Sequence, residues 1–299
     1  MQMVQIKKVA VVGAGTMGAR IAVVMARAGY RVSLWSRSES TLDKARAIVA
    51  SLGAGEAVEF TTSFEACLSN ADLVSENVAE DVALKQHVLQ DVERLVSENC
   101  VITTNTSSVS ITLLASALSQ PERLIGMHWF NPADTMPMIE IVRGAQTGDD
   151  ICQNVRDICQ QLGKETIVVN QDIPGFIINR LQYAMLREAL YLVDAGIGSV
   201  EDVDRAVQRT LAPRWAAMGP MKLMDFAGLD TVEKVAGILL PELDNSGELP
   251  AWLKAKVADG KLGAKSGEGF YAWTAETAAA GMRHRDDIVR QLTGGAGHE

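Results

Sequence analysis

The chain has 299 residues, 47% of them hydrophobic and 22% charged, with a formal net charge of −9; that balance excludes a disordered or fibrous chain and leaves room for two domain cores. The acidic excess disfavours nucleic acid as a partner, and no apolar run approaches the roughly 18 residues that cross a bilayer. With its first residues running straight into a strand pattern the chain reads as cytoplasmic, with neither nucleic acid nor membrane expected as a partner.

From Lys7 to about Val169 short β-branched runs alternate with helical stretches. In chain order the strand candidates are Val9–Gly13, Arg31–Trp35, Val58–Thr61, Asp72–Glu76, Cys100–Thr104, Arg123–His128, Met138–Val142 and Thr166–Val169. Such alternation builds βαβ units, so the expected fold is α/β, an N-terminal Rossmann-type, doubly wound, mostly parallel sheet. After Asp172 the strands stop and Pro174–Gly196 reads as one long helix, followed by further helices. The expected organisation is residues 1–171 as a dinucleotide-binding domain and 172–299 as an all-α domain. The tail after Trp273, with its AAA and GGAG runs, reads as frayed or dispensable. Cys67, Cys100, Cys152 and Cys159 form no Cys-x-x-Cys pair and have no histidine at ligand spacing, so neither a metal site nor a disulfide framework is expected.

The first strand leads into Gly13-Ala14-Gly15-Thr16-Met17-Gly18 and a helix running to about Gly29. Gly13 suits the tight turn, Gly15 lets backbone approach a pyrophosphate, and Gly18 allows close helix-to-strand packing. Backbone amides of Thr16 and Met17 then open a helix whose N-terminus favours an anion. At the end of the second strand, where NAD-specific folds carry an acid for the ribose 2′-hydroxyl, stand Ser36 and Arg37. One reading has both meeting a 2′-phosphate, hence NADP; the other has Arg37 as a surface residue and NAD bound all the same.

The runs His128-Trp129-Phe130-Asn131-Pro132 and Met138-Ile139-Glu140-Ile141-Val142, with ENVAED at Glu76–Asp81, NTSS at Asn105–Ser108, PGFIINR at Pro174–Arg180, MGPMKLMDFAGLD at Met218–Asp230 and KSGEGFY at Lys265–Tyr271, resemble the L-3-hydroxyacyl-CoA dehydrogenase family along nearly the whole chain. The resemblance implies an NAD(P)-dependent oxidoreductase with His128 as general base and Glu140 as its orienting partner. It also implies that Ser107 and Asn179 hold the substrate oxygen or the reacting centre, that Asn131 lies near the nicotinamide, and that Glu80, Lys85 and Lys265 contact the cofactor. A homodimer through the C-terminal helices is implied as well. The chemistry fits independently: alcohol oxidation sheds a hydroxyl proton as hydride leaves carbon, and an imidazole held in one tautomer by a carboxylate accepts it near neutral pH.

Several residues depart from the family pattern. The stretch from the second strand to Asp72 is short, without the longer helical arm that helps hold CoA in typical members. Asn77 replaces a small residue, Trp129 replaces a usual Phe and marks an altered substrate pocket, and Arg214-Trp215 precedes the MGP block. Arg214 is either a bidentate clamp for a free carboxylate or a surface residue beside a packing Trp. The leading reading is thus hydride transfer on a 3-hydroxyacyl-CoA-type alcohol. A second keeps the chemistry on a small free hydroxy acid of the gulonate, carnitine or pyridine-carboxylate kind. A third is a non-catalytic dinucleotide-binding protein, against which the intact His128, Glu140, Ser107 and Asn179 argue.

Overall fold

A computed structural model describes residues 6–294. They form two compact units, one ending at Asn179 and one beginning at Arg180. The division falls beyond residue 171 because the intervening segment is tied to the sheet. Asp172 accepts from the Ser110 hydroxyl at 2.6 Å and from the Thr112 amide at 2.7 Å, and Glu140 binds the amides of Ile177 and Ile178.

In the first unit the chain runs β1 (Lys8–Val12), α1 (Thr16–Arg27), β2 (Arg31–Trp35), α2 (Glu39–Ser51), β3 (Val58–Thr61), α3 (Phe64–Leu68), β4 (Leu73–Glu76), α4 (Val82–Leu95), β5 (Val101–Thr104), α5 (Ile111–Ala115), β6 (Leu124–Trp129), β7 (Met138–Val142), α6 (Asp149–Gln161) and β8 (Glu165–Val169). The sheet has eight strands in the order β3-β2-β1-β4-β5-β6-β7-β8. Strands β1 to β6 are parallel, as their helical crossovers require; β7 returns antiparallel to β6 because the connection between them holds no helix.

Both faces of the sheet are covered, so its central strands are buried along their length and alternate residues serve two cores. Val9, Val11, Met127, Ile139 and Ile141 pack in one layer with residues of α1, α2 and α6. Ala10, Val12, Val74, Ile102 and Leu124 pack in the other with α3, α4 and α5. Order reverses at β1, flanked by β2 and β4, and the ends of β1 and β4 therefore frame the crevice where doubly wound sheets bind ligands. The four cysteines are free and buried.

The long helix α7 spans Ile178–Asp194. It starts later than Pro174 because Gly175 and Phe176 hold φ values of +80° and +51°, which no helix accommodates. Then follow α8 (Val200–Ala206), a π-type turn at Val207–Leu211, α9 (Ala212–Ala227), α10 (Leu229–Leu239), α11 (Ala251–Ala258) and α12 (Ala275–Leu292). Helix α9 is broken at Gly219, φ +70°, ahead of Pro220. Residues 275–292, where a frayed tail was expected, form α12, and this helix opens on a capping box in which Thr274 and Thr277 exchange side-chain-to-amide hydrogen bonds; the GGAG run from residue 295 on lies outside the described residues. Helices α8 to α12 contain no buried residue, while Met221, Phe226, Leu229, Ile238 and Leu240 are largely exposed. No helix among the described residues is long and apolar enough to cross a membrane.

Candidate active site

The glycine turn has the form that a pyrophosphate needs. Gly13 sits at φ +110°, and a Cβ there would lie 2.5 Å from the Asn77 carbonyl oxygen; one on Gly18 would lie 1.9 Å from the Gly13 carbonyl oxygen. At Gly15, by contrast, a Cβ would meet nothing within 4 Å, so this face of the turn is open. Gly15 is the N-cap of α1 and supplies no side-chain cap, and the first turn holds no acid. Helices α2, α3, α4 and α5 each begin on a Ser or Asp side chain that accepts an amide, and α6 has Asp149 and Asp150 in its first turn. Helix α1 alone of these has neither a side-chain cap nor an acid in its first turn, so its amides and positive dipole end are left for an anion, which fits a dinucleotide phosphate. Thr16 and Met17 form its first turn. Nearby, Ser36 is buried with its hydroxyl accepting from the Ser38 amide at 3.4 Å, and Arg37 is exposed.

His128 and Glu140 are register partners across the antiparallel β6–β7 pair, so their side chains leave the same face. Nδ1 of His128 lies 2.7 Å from Glu140 Oε2. The histidine is 3% exposed and the glutamate 0%. Oε1 of Glu140 accepts from the amides of Ile177 (3.0 Å) and Ile178 (2.8 Å) at the start of α7. Phe130 and Phe176 rings flank the imidazole with centroids at 4.5 and 5.5 Å. Among the described residues no partner occupies Nε2 of His128, and Asn179 follows directly on the two amides that Glu140 holds.

Glu80 and Lys85 belong to a network at the ends of β4 and β5. Oε1 of Glu80 accepts from the Thr106 hydroxyl (2.7 Å), the Ser107 amide (2.8 Å), the Ser108 amide (2.9 Å) and the Ser108 hydroxyl (3.0 Å). Lys85 is only 1% exposed, with Nζ 3.1 Å from both oxygens of buried Glu76, 3.2 Å from the Val78 carbonyl and 3.3 Å from Glu80 Oε2. Its ammonium is spent on protein acceptors, so the expected direct contact of Lys85 with a cofactor is not what this geometry provides. Trp129 also departs from expectation. Adjacent strand residues face opposite sides, and its ring lies in the α1/α6 core layer at 3% exposure, away from the face of His128.

Ser107 and Asn131 are exposed, in the turns after β5 and β6. Arg214 and Lys265 lie in the second unit. Arg214 is exposed on α9 with Nε donating to the Thr210 carbonyl at 2.9 Å, and Lys265 is exposed in the short hairpin bridged at Gly263, Glu268 and Ala272. Sequence reasoning passed over Glu76 and Asn105. A carboxylate closing a buried strand, with a lysine one helical turn into the next helix, was the available signal for Glu76.

Burial opposes ionisation of Glu80, yet the Thr106 hydroxyl, the Lys85 ammonium and the Ser107 and Ser108 donors outweigh it and pull the carboxyl down to about 2 from an ordinary 4.5. A depressed folded-state pKa contributes stability above 4.5 that is lost as pH falls toward 2. Glu80→Gln is expected to lower Tm by a few degrees at pH 7, a modest figure because the group is partly solvated, with the gap to the parent closing between pH 4.5 and 2 in thermal melts. A gap independent of pH would show that the carboxylate charge does not hold this loop.

The family model of the 3-hydroxyacyl-CoA dehydrogenase NAD-binding domain matches residues 8–55 and 53–173, and that of the C-terminal domain matches residues 175–273. A relative from Mesorhizobium japonicum, 5-formyl-3-hydroxy-2-methylpyridine 4-carboxylate 5-dehydrogenase, is 35% identical over 289 residues, covering 92% of this chain and 93% of that protein. A solved structure of such a 5-dehydrogenase, an NAD+-dependent dismutase, is 35% identical with a TM-score of 0.90 and covers 97% of this chain and 99% of that one. The structure of (S)-3-hydroxybutyryl-CoA dehydrogenase from Ralstonia eutropha is also 35% identical, with a TM-score of 0.73 and coverage of 90% and 100%. With both of its units matched in order, the chain belongs to the 3-hydroxyacyl-CoA dehydrogenase family.

Proposed function

We propose that this chain, a dehydrogenase of a family acting on CH–OH groups with a nicotinamide cofactor, uses His128 as acid/base and Glu140 as its orienting partner. The buried 2.7 Å contact between them carries the reading. Glu140, already held by two amides, accepts a hydrogen bond from Nδ1–H, which leaves the Nε2 lone pair to take the hydroxyl proton. The imidazolium that forms is paired with a carboxylate and returns its proton to a developing alkoxide in the reverse direction. Bound on the open glycine turn, the dinucleotide would supply the hydride acceptor. Ser107 and Asn179 are assigned to the substrate oxygen, Asn131 to the nicotinamide side, and Lys265 to the cofactor. His128→Ala is expected to cost about 10²-fold or more in kcat while dinucleotide affinity holds; undiminished turnover would remove His128 as the base.

For substrate, the family supports a 3-hydroxyacyl-CoA thioester first. A small free carboxylic acid is a second reading, favoured by two observations. At equal identity the pyridine-carboxylate enzyme gives a TM-score of 0.90 and the hydroxybutyryl-CoA enzyme 0.73. Between β2 and β4 stand only α2, the short β3 and the five-residue α3, with no longer arm. In that reading Arg214 clamps the carboxylate. Because Ser36 stands where an acid would reject a 2′-phosphate, NAD and NADP are both admitted. Oxidation of NADH and NADPH is to be followed with acetoacetyl-CoA, free acetoacetate and a pyridine carboxylate aldehyde. Turnover of the thioester alone supports the first reading; turnover of free acids alone supports the second, and Arg214→Ala then raises KM about tenfold or more.

The second unit is proposed to form a homodimer, since five helices without a buried residue and with exposed Met221, Phe226 and Ile238 have apolar surface to cover. Sedimentation is expected to give about twice the chain mass of 32.2 kDa. A monomer at micromolar concentration would overturn it.

A further inference from the structure

Strand β6 outruns its neighbour. Its ladder with β5 ends at Thr104 opposite Gly126, yet the residue proposed as base, His128, lies beyond that point. On one side β7 continues to pair with it, through Trp129 opposite Ile139. On the other side a side chain takes over: the Trp129 amide donates to Asn105 Oδ1 at 2.9 Å. Asn105 is the first residue after β5, and its Nδ2 donates to Asn77 Oδ1 at 3.0 Å. Asn77 is the first residue after β4, and its Nδ2 donates to the Ser75 carbonyl at 2.9 Å and the Ser75 hydroxyl at 3.0 Å.

The polarity of this chain is forced from both ends. A main-chain N–H only donates, so Asn105 must turn its oxygen to Trp129 and its nitrogen to Asn77. A main-chain carbonyl only accepts, so Asn77 must turn its nitrogen to Ser75 and its oxygen to Asn105. Neither amide can flip without placing like against like. The backbone is tied in parallel, Asn77 N to the Val12 carbonyl at 2.7 Å and Asn105 N to the Glu76 carbonyl at 2.9 Å. The Asn77 carbonyl oxygen is also the atom that a Cβ on Gly13 would strike.

We infer that Asn77 and Asn105 are positioning residues, a side-chain amide ladder across the ends of β4, β5 and β6 that fixes the end of β6 carrying His128 relative to the glycine turn. Neither touches the reacting atoms. The inference rests on His128 being the base, and it acts on hydride transfer rather than on dinucleotide affinity.

The test is a double-mutant cycle in the full chain, read by steady-state kinetics with the active substrate, fluorescence titration with NADH, and thermal melts. Asn105→Ala is expected to lower kcat about tenfold with NADH affinity and KM within twofold, because small displacements of a reacting group cost rate before binding. Asn77→Ala is expected to lower kcat about threefold, and Asn77→Ala/Asn105→Ala to resemble Asn105→Ala alone, since both substitutions cut one chain. Full kcat per folded molecule in Asn105→Ala, or losses that multiply in the double variant, overturns the ladder. Should Asn105→Ala not fold, Asn77→Ala decides by the same split, an unchanged kcat counting against the inference. Undiminished turnover of His128→Ala would instead mark failure of the base assignment, a result independent of either asparagine.

Discussion

A single buried carboxylate with both oxygens committed organises this site. Placing Glu140 at 0% exposure carries a desolvation cost of several kcal/mol unless every lone pair finds a donor. Oε2 takes the imidazole and Oε1 takes two amides at the start of α7. The second contact is charge-assisted and lies where a helix dipole favours an anion. Because Gly175 and Phe176 turn the chain with positive φ just before, the amides of Ile177 and Ile178 face back toward β7 instead of beginning a helix four residues earlier. One side chain thereby sets the orientation of the histidine and the starting point of the helix that carries Asn179.

Around it, the turns after β1, β4, β5 and β6 collect at one end of the sheet, and their polar groups serve one another. Glu76 and Glu80 surround Lys85, Glu80 grips residues 106–108, and the two asparagines join β4, β5 and β6. The connection from β6 to β7 is held on its far side by Lys164, whose Nζ reaches the Ala133 and Met136 carbonyls, and by an ion pair of Arg20 with Asp134. Local turns alone would leave these segments mobile; the cross-links convert the sheet's rigid end into a fixed frame.

Most of the architecture was legible because its signals are local. Each strand candidate became a strand to within a residue or two at its ends, since apolar runs bounded by polar turns have little else to become in a sheet covered on both faces. His128 and Glu140 were legible through flanking motifs, and their antiparallel register explains the spacing. What was missed depends on geometry that spacing does not encode. Trp129 drew attention beside His128, although strand alternation sends neighbours to opposite faces. Lys85 reads as a cofactor contact, and only the placing of Glu76 beside it shows its ammonium held by protein acceptors. Glu80 meets residues 106–108 only once β4 and β5 lie side by side. The capping pair of Thr274 and Thr277 was hidden by the small residues that follow it.

The buried thiols carry a consequence of another kind. Burial pushes Cys67, Cys100 and Cys159 up to about 12 and raises Cys152 as well, so that the nucleophilic thiolate is scarce in the folded chain. Oxidants and alkylating reagents then find little to attack while the sheet stays closed. Cys67 and Cys100 lie under one face of the sheet, Cys152 and Cys159 under the other. Their rates of labelling therefore clock the opening of each face separately, an internal pair of gauges for how the two sides of the sheet come apart.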